Sequence, residues 1–208
     1  MSDYSVAVID YDMGNVWSVI SAFKFLGVEA DLVGDPKSIA KYKFIVLPGV
    51  GSFRKGMEAL KERRLDDAIY NAVKDKNTKL LGICLGMQLL GSHGSEDGDA
   101  DGLGLVDNKV ERFTSEELGQ NKIPHVGFNP VEFNETEGLF KDIQKKSDFY
   151  FTHSYRMMFD GMEGRYGLCQ YGASFLASFE LDNICGTQFH PEKSQSNGLV
   201  LLKNFLEL

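Results

Sequence analysis

Gly82-Ile83-Cys84-Leu85-Gly86 constrains this chain more than any other stretch. Residues 78–81 read as a short buried strand and residues 85–90 as the start of a helix, so the cysteine stands on a sharp strand-to-helix turn. Such a turn strains the backbone of its central residue, and glycines two positions away on each side let neighbouring chain pass close by. The sulfur is then presented at a helix N-terminus, where the peptide dipoles favour thiolate over thiol. That is the mounting of a nucleophile. The competing reading, a small buried apolar residue, suits Cys169 and Cys185, which lie in β-like segments without paired glycines.

A second constellation lies in Gly186-Thr187-Gln188-Phe189-His190-Pro191-Glu192. Residues 184–189 read as a strand with His190 at its carboxyl end, where catalytic groups collect in open α/β sheets. Pro191 pushes His190 towards an extended conformation. In extended chain, residues two apart project to the same side, which lets Glu192 hold one ring nitrogen while the other takes a thiol proton. The chain order Cys84, His190, Glu192 then supplies nucleophile, base and orienter.

The segments between these motifs predict an α/β fold: a doubly wound, mostly parallel sheet flanked by helices, in a single domain over residues 1–208. Residues 5–9, 30–33 and 44–47 read as strands, residues 15–26 as an amphipathic helix closed by Gly27, and residues 65–74 as a further helix. From about 105 to 180 the pattern changes to shorter β-like runs at 104–110, 131–133, 149–153 and 174–179, which predict a smaller antiparallel or mixed β annex. Residues 198–206 return to helix. A formal charge of −8 argues against nucleic acid and anionic membrane surfaces as partners. No basic apolar leader or membrane-length apolar run is evident, and three irregularly spaced cysteines suit a reducing compartment, so the expected location is cytoplasmic. No metal pattern is present, and no cofactor is expected.

Gly82-Ile83-Cys84-Leu85-Gly86-Met87-Gln88 together with Phe189-His190-Pro191-Glu192 resembles the class I glutamine amidotransferases. Within that class, four further blocks resemble the glutaminase subunits of imidazole glycerol phosphate synthases. They are residues 9–15, the Leu47-Pro48-Gly49-Val50-Gly51-Ser52-Phe53 loop, residues 123–129 and Phe151-Thr152-His153-Ser154-Tyr155. The resemblance spans essentially the whole chain. It implies attack of Cys84 on the side-chain amide of glutamine, with His190 as acid and base and Glu192 as its orienter. The tetrahedral oxyanion needs donors. The Leu85 amide and the Gly49, Val50 and Gly51 peptides are the candidates, although Pro48-Gly49-Val50-Gly51 also reads as an ordinary tight turn. By resemblance, Gln88 and Glu96 contact the two ends of the glutamine backbone, with Ser154 and Tyr155 adding backbone contacts. Glu96 equally suits a solvated acidic loop. His125 and His153 read as structural or partner-facing, and His93 as surface.

The short span after the triad leaves no room for a second active site to consume ammonia, so the resemblance implies a heterodimer with a (β/α)8 barrel cyclase in histidine biosynthesis. Asn15, Phe128 and Lys193 are the candidate docking residues, with Lys193 also readable as an exposed lysine. The chain departs from the family pattern at Asp12, where glycine is usual, and at Phe128 and Pro130, where tryptophan and a polar residue are usual. These departures keep open a paralogous subunit that supplies ammonia for sugar amidation in surface-polysaccharide synthesis. An independent cysteine hydrolase and a non-catalytic regulatory subunit are the other rivals, the second opposed by the intact Cys84, His190 and Glu192.

Overall fold

The structure is a computed structural model that describes residues 5–159 and 161–208. Its first part alternates strand and helix. β1 (Ser5–Ile9) leads through α1 (Val16–Phe25) to β2 (Glu29–Val33), and α2 (Pro36–Ile39) leads to β3 (Phe44–Gly49). Two helices, α3 (Phe53–Glu62) and α4 (Leu65–Val73), precede β4 (Lys79–Cys84), which runs directly into α5 (Leu85–Leu89). The helix α3 was not among those expected, although Phe53, Met57 and Leu60 are buried along one face at helical spacing. Gly27 closes α1 as expected, at φ 76°.

The middle of the chain is β-rich. β5 (His93–Gly94), β6 (Ala100–Asp101), β7 (Lys109–Arg112), the one-turn α6 (Ser115–Leu118), β8 (His125–Phe133), β9 (Lys146–His153), β10 (Tyr155–Met157), β11 (Arg165–Tyr171) and β12 (Ala173–Leu181) follow in order. β13 (Ile184–Thr187) and the long α7 (Gln195–Glu207) complete the fold. Nine strands form one sheet in the order β2-β1-β3-β4-β13-β12-β11-β8-β9, parallel from β2 to β13 and antiparallel beyond. A smaller sheet, β10-β7-β5-β6, stands apart. Most of the antiparallel strands thus continue the main sheet edge to edge, and only the smaller sheet is an annex.

Two boundary expectations are corrected. The run at 104–110 is strand only from Lys109. Before it, the amides of Leu103, Gly104, Leu105 and Val106 bond to carbonyls of Leu89, Gly91 and Leu90, so the backbone is held to the end of α5 instead of pairing as a strand. The expected strand 184–189 stops at Thr187 and bends through Gln188 and Phe189.

Burial explains the layering. β3 and β4 are apolar and buried along nearly their whole length, as strands covered on both faces must be. Beneath the antiparallel half, Phe133, Phe149, Phe151, Phe175 and Phe189 are fully buried, with Phe149 and Phe189 stacked at 4.0 Å. Each such ring contributes roughly 1.5–3 kcal/mol of transfer free energy. No helix among the described residues is long and apolar enough to cross a membrane.

Candidate active site

Register places the site. β3 and β4 pair in parallel with Gly49 opposite Cys84, and β13 pairs with the other edge of β4 with Thr187 opposite Ile83. The loop after β3 and the segment after β13 therefore both emerge beside Cys84, at the carboxyl edge of the parallel strands.

Cys84 adopts φ 55° and ψ −110°, a positive-φ conformation that side-chain-bearing residues rarely take. Its two glycines are sterically required. A Cβ on Gly82 would meet the Met87 backbone at 2.7 Å, and one on Gly86 would overlap the Leu47 carbonyl. The strained elbow expected from the sequence is present. Tyr11 occupies the space beside Gly49, and its buried hydroxyl has no hydrogen-bond partner. Burial and the nearby Cys84 sulfur push its phenol far above the ordinary range.

His190 is 2% exposed, and its Nδ1 lies 2.8 Å from Glu192 Oε1. The reach differs from the expected route. His190 is extended, at φ −96° and ψ 99°, but Pro191–Lys193 forms a single 3-10 turn, so a turn rather than extended chain brings the carboxylate back to the ring. Ser194 fixes the loop by donating to the His190 carbonyl at 2.6 Å and accepting from the Tyr150 amide at 3.0 Å. The His190 Nε2 is buried without a conventional hydrogen bond, within electrostatic reach of Cys84. Burial alone would lower the imidazole pKa, but the Cys84 sulfur and the Glu192 carboxylate outweigh it and push it up to about 10.

A cavity of about 300 Å³ opens above the sulfur, lined by Val50, Gly51, Cys84, Leu85, Gln88, Glu96, Pro124, Thr152, His153, Ser154 and Tyr155. Every substrate-contact candidate from the sequence is on that wall. Glu96 is half-buried there, and desolvation raises its carboxyl pKa, opposed by the Phe53 backbone amide. The Leu85 amide stands in the first turn of α5, where amides lack intrahelical acceptors. The Val50 amide instead donates to the Met13 carbonyl at 3.2 Å, so its hydrogen is already committed within the structure. A cleft of comparable size, about 350 Å³, lies on the antiparallel half among Pro130, Tyr166 and Leu168, away from these groups.

His125 and His153 form a buried pair. His153 Nδ1 meets the Tyr155 carbonyl at 2.8 Å, so that nitrogen carries the proton. His125 Nδ1 then donates to His153 Nε2 at 3.0 Å, and Asn129 donates to His125 Nε2 at 2.8 Å. Desolvation pushes the two imidazoles down to about 4 and about 3. His93 is partly exposed, beside Asp99 and Asp101.

Two of the three docking candidates, Phe128 and Lys193, meet around Tyr150, which the sequence does not single out. Phe128, 47% exposed, packs edge-on against Tyr150 at 5.5 Å, and Lys193 Nζ lies 5.9 Å from the centroid of the same tyrosine ring. Asn15 stands at the start of α1 without a side-chain capping bond, two residues before Trp17, which is 67% exposed. Asp12 explains its own departure from the family pattern. It sits at φ 64°, where glycine is unstrained, and is held there by an ion pair with Arg63. Gln188, Thr152, Ser194 and Tyr11 were also not singled out. Their roles depend on strand neighbours, and only the position of Gln188 two residues before His190 offered a local signal.

A family profile described as "Glutamine amidotransferase class-I" matches residues 7–208. "Imidazole glycerol phosphate synthase subunit HisH 1" of Parasynechococcus marenigrum is 43% identical over 202 residues, covering 97% of this chain and 96% of that protein. The protein of the same name from Campylobacter jejuni is 43% identical over 203 residues, covering 98% of this chain and 100% of that protein. Among solved structures, that of PurLQS from Thermotoga maritima superposes with a TM-score of 0.75 at 18% identity, covering 99% of both chains, which shows the shared fold.

Proposed function

The chain belongs to the class I glutamine amidotransferases, and from that premise we propose that it is the glutaminase subunit of an imidazole glycerol phosphate synthase, working through Cys84, His190 and Glu192. The observation that carries the chemistry is the carboxylate-bound His190 beside a sulfur mounted on a strained elbow. The Cys84 thiolate attacks the side-chain carbonyl of glutamine, forming a C–S bond. Protonated His190 gives its proton to the departing nitrogen, the C–N bond breaks and ammonia leaves. His190 then takes a proton from water, which adds to the γ-glutamyl thioester, and loss of the C–S bond returns thiolate and glutamate. Glu192 holds the ring and favours the imidazolium on which the first proton transfer depends.

Two features support a partner in trans, for which the (β/α)8 barrel cyclase is the proposal. The Phe128, Tyr150 and Lys193 patch lies next to the triad, an arrangement suited to receiving ammonia directly at the mouth of the site. The Val50 amide is bound to Met13, so the oxyanion hole is incomplete until that peptide turns. A partner that stabilised the turned state would switch glutaminase on. The relatedness at 43% identity favours the histidine-pathway acceptor over sugar amidation.

The test is Cys84→Ala in the assembled two-subunit enzyme. Synthesis from glutamine should disappear while synthesis from added ammonium salt persists at the wild-type rate. Retained glutamine-dependent synthesis would reject the covalent route.

A further inference from the structure

The triad leaves one side of the Cys84 sulfur unassigned, and a chain of amides reaches it. Gln88 Nε2 donates to the Tyr155 carbonyl at 2.9 Å and to Gln188 Oε1 at 2.9 Å, and Gln188 Nε2 points at Cys84 Sγ at 3.7 Å. A carbonyl oxygen only accepts, so the Gln88 atom facing Tyr155 is nitrogen. Its second hydrogen faces Gln188, which fixes Gln188 with oxygen towards Gln88 and nitrogen towards the sulfur. The ambiguity of two glutamine amides is thereby removed by one backbone carbonyl. Gln188 is fully buried, and the register that sets Thr187 opposite Ile83 delivers it to Cys84.

We propose that Gln188 is a further catalytic residue: its amide, oriented by Gln88, donates an N–H to the Cys84 sulfur and holds it as the attacking and departing thiolate. The sulfur needs such a donor. On another side it faces the Thr152 carbonyl at 3.9 Å, an acceptor that favours the protonated thiol. A hydrogen bond to an ion is stronger than one to its neutral form, so the Gln188 amide counters that carbonyl whenever the sulfur carries charge, before acylation and again as the thioester breaks. Gln88 also lines the cavity, and with both its hydrogens used internally its Oε1 is the atom left to face glutamine. The relay thus joins the substrate wall to the nucleophile.

This inference rests on Cys84 as the nucleophile and is tested separately from it. The rate of Cys84 alkylation by iodoacetamide is followed against pH on the full chain, with the site of modification read by peptide mass spectrometry. In Gln188→Met, which keeps the length and loses the donor, the rate at neutral pH should fall about tenfold, and in Gln188→Glu further, with all rates converging at strongly alkaline pH because the thiolate fraction alone has changed. Unaltered profiles in both variants, with wild-type Cys84 reacting normally, overturn the role of Gln188 alone. A wild-type Cys84 that does not alkylate at any pH overturns the nucleophile as well. Should the Gln188 variants fail to fold, Gln88→Met leaves Gln188 in place without its orienting partner and must slow neutral alkylation in the same direction; no change there overturns the relay.

Discussion

His190 and the His125–His153 pair are all buried, yet the two regions treat a histidine in opposite ways. At the carboxyl edge of the parallel half, Cys84 and Glu192 outweigh desolvation and push His190 up to about 10. In the antiparallel half, His125 is stacked between Phe151 at 4.6 Å and Tyr171 at 3.9 Å, and its pair with His153 is pushed down to about 4 and about 3. Burial is common to both, so the deciding factor is an anionic partner. The parallel half keeps its imidazole protonated, and the antiparallel half uses neutral rings as fixed hydrogen-bond struts behind the Tyr155 carbonyl.

Replacing His190 should have the largest effect. His190→Ala should lower glutaminase turnover by at least about 10⁴-fold, and Glu192→Gln should be roughly a hundredfold milder, because Ser194 and the Tyr150 carbonyl still hold the His190 backbone. Steady-state glutaminase assays of the assembled enzyme check the order. Equal losses would mean that Glu192 does more than orient and charge the ring.

The buried His125–His153 pair should show a smaller effect, on stability. A histidine whose folded pKa lies below its unfolded value of about 6.5 binds fewer protons folded than unfolded in between. Stability should therefore fall as pH drops from about 6.5 towards 4, the value about which His125 titrates. The slope should approach about 1.4 kcal/mol per pH unit for each such histidine, increased by carboxylates lowered on folding, such as Glu117, and reduced by those raised, such as Glu96. Urea denaturation at stepped pH measures it, and His125→Phe should flatten the acid limb even if it lowers stability at neutral pH. An acid limb as steep as the wild type's would show that the pair is not the acid-sensitive element.

The same division governs what could be read from the sequence. The elbow was legible because Gly82 and Gly86 sit two residues from Cys84 and sterics act over that short range. The strands of the parallel half were legible because β3 and β4 are short apolar runs between turn residues. The His190–Glu192 contact was legible as a pairing but not as a 3-10 turn, because Pro191 favours an extended His190 and also suits the first position of such a turn. The antiparallel half was harder. Residues 104–110 read as one β-like run, but the amides of Gly104, Leu105 and Val106 are satisfied by the end of α5, a tertiary contact that outweighs local preference. Gln188 was missed because its target is 104 residues away and becomes visible only once β13 is laid against β4.

In the proposed reaction the carbonyl carbon of glutamine becomes bonded to Cys84, at the carboxyl edge of the parallel half of the sheet. Its most direct test is labelling of the assembled enzyme with a diazoketone analogue of glutamine, with the modified residue located by peptide mass spectrometry. One adduct is expected, on Cys84, formed in step with loss of glutaminase activity and slowed by glutamine. Activity lost with Cys84 unmodified, or retained with Cys84 fully modified, would contradict it.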